Sequence, residues 1–164
     1  RAVALHEEGL TAARAIGKLL SQATVQCSLA NLLAHMGEHG RAEQLAGAAL
    51  RLQQEIKADG TMVWTRQILG LLAALRGDYT GAHEQFLASL TAATQLDRRN
   101  AIPATLEGLA IVAVGTGQPA AAARLLGASE ALRERIQSRR PPLEQPLYDR
   151  TIAAVRARLA EDAL

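Results

Sequence analysis

Apolar residues recur along this chain at intervals of three and four, in helix-length stretches divided by glycines, prolines and short polar links. Leu5, Leu10, Ala13 and Ile16 form the stripe of a first helix over 2–19. A gap at Leu20-Ser21 follows, and Ser21 or Thr24 caps a second helix that runs to Met36, before Gly37. Ala42, Leu45, Ala49, Leu52 and Ile56 mark a third helix over 39–57, and Asp59-Gly60 reads as a turn. A fourth spans 61–76 and a fifth 79–96, the latter striped by Ala82, Phe86, Leu90 and Ala93. After a connection at 97–100, Pro103 suits the first turn of a sixth helix ending near Gly115, where a missing N–H costs nothing. Pro119 opens a seventh over 119–137. Pro141, Pro142 and Pro146 forbid an ordinary helix interior, and a last helix over 146–161 carries Leu147, Ile152, Val155 and Leu159.

A longer period overlies the helical one. Gly37, Gly77 and Gly117 are 40 residues apart, and each is followed five places on by an alanine: Ala42, Ala82 and Ala122. Leu29, Leu69 and Leu109 keep the same register, as do the small residues Ala30, Gly70 and Ala110. Such a period predicts an all-α solenoid of antiparallel helix pairs. The glycine lets the chain turn sharply, and the small residues let paired helices approach closely. Leu45, Phe86, Leu125 and Leu126 then fill the space between layers. The chain divides as one repeat domain over 1–164. Residues 1–20 are the second helix of a truncated repeat, and 21–60, 61–100 and 101–137 are full repeats. Residues 138–164 form a proline-rich link and a capping helix with no counterpart at the repeat spacing.

Composition supports helices and narrows the function classes. Hydrophobic residues make up 49% of the 164 but aromatics only 2%, so the apolar content is mostly Ala and Leu, which favour helix over sheet. The lone Cys27 excludes an internal disulfide and a thiolate cluster, and with no membrane-length apolar run it suits the cytoplasm. The chain opens on Arg1 inside a helical pattern, as an excised piece of a larger protein would. A formal charge of +2 is too weak and too dispersed for a phosphate-tracking surface; Arg133, Arg135, Arg139 and Arg140 are diluted by Glu130 and Glu134. Direct nucleic-acid binding is not expected.

The pattern resembles tetratricopeptide repeats. Leu69-Gly70, Gly77-Asp78-Tyr79, Ala82 and Phe86 match that consensus most fully, although the period is 40 and not 34. The resemblance implies a right-handed superhelix. The stretches "AARLLGASEALRE" and "PPLEQPLYDR" further resemble the C-terminal tails of large bacterial transcriptional regulators, in which a STAND-class NTPase precedes such repeats and a LuxR-type or SARP-type DNA-binding domain acts as effector. This implies a cytoplasmic sensor or scaffold arm that contacts a protein, a peptide or neighbouring domains of its own chain. It brings neither ATP binding nor DNA binding with it, because no G-x-x-x-x-G-K-[ST] occurs.

Little catalytic chemistry is legible. His6, His35, His39 and His83 form no HExxH, and Cys27 and His35, eight apart, are about 12 Å apart along a helix. Glu7-Glu8 and Glu161-Asp162 read as solvated faces. No enzyme activity, metal or cofactor is expected. The resemblance implies that the first helix of each unit faces a concave groove. Counting from the turn glycines, its lining comprises Cys27, Gln67 and Glu107, then Asn31, Leu71 and Ile111, then Ala34, Ala74 and Val114. His35, Leu75 and Trp64 lie beside them. Asn31 alone matches the family's carboxylate clamp, and the clamp's basic residues are missing, which argues against an acidic tail as ligand. Two readings stay open: an apolar channel for a peptide, a helix or a small apolar effector, or a surface buried in a tight superhelix or homodimer.

Overall fold

The computed structural model describes residues 1–161, so Asp162 and the end of the predicted capping segment lie outside the described residues. The described chain is helical, with no strand: α1 (Ala2–Ala15), α2 (Leu19–His35), α3 (His39–Glu55), α4 (Asp59–Leu75), α5 (Tyr79–Gln95), a 3-10 turn (Arg99–Ala101), α6 (Ile102–Gly115), α7 (Pro119–Ile136) and α8 (Gln145–Glu161). The antiparallel pairs α2–α3, α4–α5 and α6–α7 make the closest associations, and each first helix also packs on the first helix of the next pair. This is a helical-repeat architecture.

The punctuation is finer than the 40-residue period. Helices α2 to α5 are each 17 residues long, and every link enters the left-handed region at one residue. Gly17, Gly37, Gly77 and Gly117 have φ between 66° and 86°, and Lys57, Asp97 and Gln137 have φ of 53°, 50° and 52°. A left-handed residue therefore falls every 20 positions. From residue 37 onward each closes its helix with the same pair of bonds: Gly37 N–H donates to Ala34 O and Glu38 N–H to Leu33 O, just as Lys57 donates to Gln54 O and Ala58 to Gln53 O. This is the Schellman arrangement, which satisfies carbonyls that a helix end otherwise leaves free.

Several predicted boundaries move accordingly. The first helix stops at Ala15 and not 19; Leu20 and Ser21 lie inside α2, and the break sits at Gly17. Neither Ser21 nor Thr24 caps α2: Lys18 precedes it without a side-chain bond, and Thr24 Oγ1 donates to Leu20 O one turn back. Asp59-Gly60 is the first turn of α4, and the true link is carried by Lys57. The only helix start capped by its own side chain among the described residues is α5, where Asp78 accepts from Gly81 N–H at 2.9 Å.

Three successive clusters of buried residues run along the core, and a fourth, of Val63, Ala93 and Ala101, joins α4, α5 and the 3-10 turn. Leu29, Leu33, Ala42, Ala46 and Leu72 join α2, α3 and α4; Ala74, Ala82, Phe86 and Leu109 join α4, α5 and α6; Ala110, Ala122, Leu126 and Val155 join α6, α7 and α8. Ala30, Ala42, Ala82, Ala110 and Ala122 have no accessible surface, so backbones approach at these positions. Phe86 fits because its ring lies against glycines: a Cβ on Gly70 would come within 3.0 Å of it, and one on Gly108 would overlap it.

Candidate functional site

The first helices of the pairs share one wall of a cavity of about 260 Å³. From α2 it receives Cys27, Asn31 and His35, from α4 Trp64, Gln67 and Leu71, and from α6 Glu107 and Ile111. These positions are half-buried, as a concave lining requires, and they recur at the repeat spacing. Four other residues named for the groove lie outside this lining. Ala74 is buried in the core with Phe86 and Leu109, Val114 packs against the Ala110–Leu126 cluster, and Leu75 is exposed at the end of α4. Ala34, in the same row as Ala74, is buried against α3. The third predicted row thus faces the partner helix of each pair and not the groove. A helix turns 100° per residue, so Ala34 and Ala74 point about 60° away from Asn31 and Leu71, and here that offset aims them into the core.

The opposite wall comes from the C-terminal segment. Glu144, Leu147, Tyr148 and Thr151 line the cavity from the link and α8. They fall 40 residues after Ala104, Glu107, Gly108 and Ile111, which line it from α6. The expectation that the last helix has no counterpart at the repeat spacing is therefore corrected on the concave side. Helix α8 packs on α6 and α7 as α4 packs on α2 and α3, and it reaches far enough that Arg150 lowers the pKa of His35 on α2. Extending the groove register by one more period would have found these residues. Pro141 and Pro142 of the link and Pro146 in the first turn of α8 mark the break between the helices without reporting the register across it.

A buried ionic cluster holds this wall in place. Glu107, whose side chain is 12% exposed, accepts from Arg133 Nε at 2.9 Å, from Arg140 at 2.9 and 3.3 Å, and from Ser129 Oγ at 2.6 Å. Arg140, 8% exposed, also pairs with Glu130 and stacks its guanidinium 3.3 Å from the centre of the Tyr148 ring. Burial alone would raise the Glu107 carboxyl, but the bonds from Arg140, Arg133 and Ser129 outweigh it and hold the pKa below the usual value. Arg140 is pushed upward, its two carboxylates outweighing desolvation. Arg133 and Arg140, which the sequence offers only as members of a dispersed basic run, have buried side chains because Glu107 draws them inward.

Elsewhere the cavity wall is acceptor-rich. Gln67 spends both amide hydrogens, donating to Ala101 O at 2.8 Å and Thr105 Oγ1 at 2.7 Å, so its carbonyl oxygen stays unengaged. Cys27 Sγ accepts from Thr65 Oγ1 at 3.4 Å; burial raises the thiol, only partly offset by that bond, which leaves it a poor nucleophile at neutral pH. His35 is lowered by burial and then by Arg150, so its ring is neutral at pH 7. Trp64 carries Arg98 over its ring at 5.7 Å. Among the described residues no group of three or more His, Cys, Asp or Glu is placed to hold a metal ion, and no helix is long and apolar enough to cross a membrane. No family model matches the chain, and no curated protein matches it either.

Proposed function

We propose that the chain is a non-enzymatic sensing module of tetratricopeptide-like repeats, the effector-binding arm of a bacterial transcriptional regulator of the LuxR or SARP multidomain type. The observation that carries the sensing reading is the cavity itself. Residues at equivalent places in three repeats converge on it, and a fourth helix closes it from the opposite side. An extended peptide would need a trough open along the concave face, whereas here residues of α2, α4, α6 and α8 line one cavity together. A small apolar effector needs only an enclosed volume, and such sites are concave, mostly apolar and furnished with a few polar groups. The repeated glycine turn and the small residues at 30, 70 and 110 and at 42, 82 and 122 support the family reading. The two sequence stretches at the C-terminal end support the regulator reading. On this view the effector acts by stabilising α8 against the groove, a change that neighbouring domains would feel.

A neutral apolar fluorophore tests the site. N-phenyl-1-naphthylamine should brighten and shift to the blue with the wild-type chain, and Leu71→Trp or Ile111→Trp, which fill the cavity, should remove the response while helicity and cooperative unfolding persist. Absence of a response from the wild type, or an unchanged response in both tryptophan variants, refutes the cavity as the working site.

A further inference from the structure

The polar side chains of the cavity are unequal in what they offer a ligand. Glu107 is saturated by two guanidiniums and a serine hydroxyl. Glu144 lines the cavity from the C-terminal wall, and no side chain among the described residues pairs with it or donates to it. Its carboxyl is pushed up by burial and by the nearby charge of Glu107, more than Arg133 and Arg140 bring it down. Three carboxylates, Glu107, Glu130 and Glu144, therefore share two guanidiniums, and one negative charge is left over. No lysine or arginine lines the cavity. Arg150, which acts on His35, is itself exposed. Gln67 adds a free carbonyl oxygen to the lining. Asn31, His35 and Thr151 are the neutral polar groups of the lining, and Trp64, Leu71, Ile111, Leu147 and Tyr148 supply its apolar and aromatic surface.

From this charge balance we infer that the cavity binds a small organic cation: an apolar body carrying a protonated primary amine, with the ammonium against Glu144 and Gln67 and the body among Trp64, Leu71 and Ile111. An amine is favoured over an anion because the one charge lining the cavity without an ion-pair partner is the Glu144 carboxylate, and a carboxylate ligand would meet like charge there. It is favoured over a quaternary ammonium because acceptors call for N–H donors, and charge-assisted bonds of this kind are the stronger ones. The size of the cavity, at the lower edge of the usual range of about 300–1,000 Å³, restricts the ligand to a compact molecule.

This inference rests on the cavity being the working site, and the test keeps the two apart. Calorimetry at pH 7 with 4-phenylbutylamine, 4-phenylbutanol, 4-phenylbutyrate and the N,N,N-trimethyl derivative of the amine compares ligands that differ only in the head group. The primary amine should bind at least tenfold more tightly than the other three. Glu144→Gln should bring it down to the affinity of the alcohol and leave the unfolding temperature equal or higher, since an uncompensated carboxyl has been removed. Equal binding of the four, preference for the carboxylate or the quaternary ion, or an amine preference that survives Glu144→Gln overturns the inference. If the fluorophore still binds in those cases, the cavity remains the site and only the cationic ligand is refuted. If nothing binds, both are refuted.

Discussion

A lysine at a left-handed position costs the fold what a glycine in its place would not. Lys57, at φ 53°, has a Cβ crowded against the peptide, a strain of about 1–2 kcal/mol that the greater flexibility of unfolded glycine only partly cancels. Lys57→Gly should therefore stabilise the chain by about 0.5–1 kcal/mol, whereas Gly77→Ala, at φ 85°, should destabilise it by about 1 kcal/mol. Urea unfolding at constant slope would measure both. The same contrast explains what was legible at this scale. Gly37, Gly77 and Gly117 announce their turns because glycine is the usual left-handed residue. Lys57, Asp97 and Gln137 announce nothing, since their conformation is imposed by the helices on either side. Ala58 and Arg98 complete their caps through backbone N–H groups, which no side chain reports. For that reason the 40-residue period was visible and its 20-residue subdivision was not.

Helices α1 to α7 could be read from their stripes because each buries one face against a neighbour of similar kind. Helix α8 differs. Its existence was plain from Leu147, Ile152 and Val155, but its destination depends on Arg140, a charged residue that composition alone assigns to solvent. Only the fold shows Glu107, 33 residues earlier, waiting for it. Cys27, Gln67 and Glu107 share one register and line one cavity, yet the sequence does not tell that the third is an ion-pair centre and that the second keeps a free carbonyl oxygen. Removing the link's anchor should release the helix. Arg140→Ala leaves Glu107 with Arg133 alone and takes away the stacking on Tyr148, a loss of about 3 kcal/mol for a buried pair. Amide exchange should then accelerate in α8 and at residues 138–144 while α2 to α5 remain protected. Uniform acceleration throughout the chain would mean that α8 is not a separable element.

Acid should weaken the molecule in a way traceable to one ring. His35 has its pKa lowered from 6.5, so the unfolded chain takes up a proton there before the folded one does, and stability falls as pH drops below 6.5. Glu144 works in the opposite sense: its raised carboxyl binds a proton more tightly when folded, so its contribution is full below 4.5 and is lost as pH rises through the raised value. Glu107, lowered, contributes above 4.5 and loses its contribution only as pH falls through its depressed value. Denaturation of wild type and His35→Gln between about pH 7 and 5 should show a decline in the first that is absent from the second. Parallel curves would place the proton uptake elsewhere. The regular spacing of the left-handed residues also constrains how such a chain can change its length. Because the helices alternate between groove-facing and outer roles every 20 positions, the loss or gain of 40 residues keeps every later helix in its role. A change of 20 would exchange the roles of all that follow and turn the cavity's far wall outward. Growth is thus confined to whole pairs, and the cavity is the feature that an odd step would destroy first.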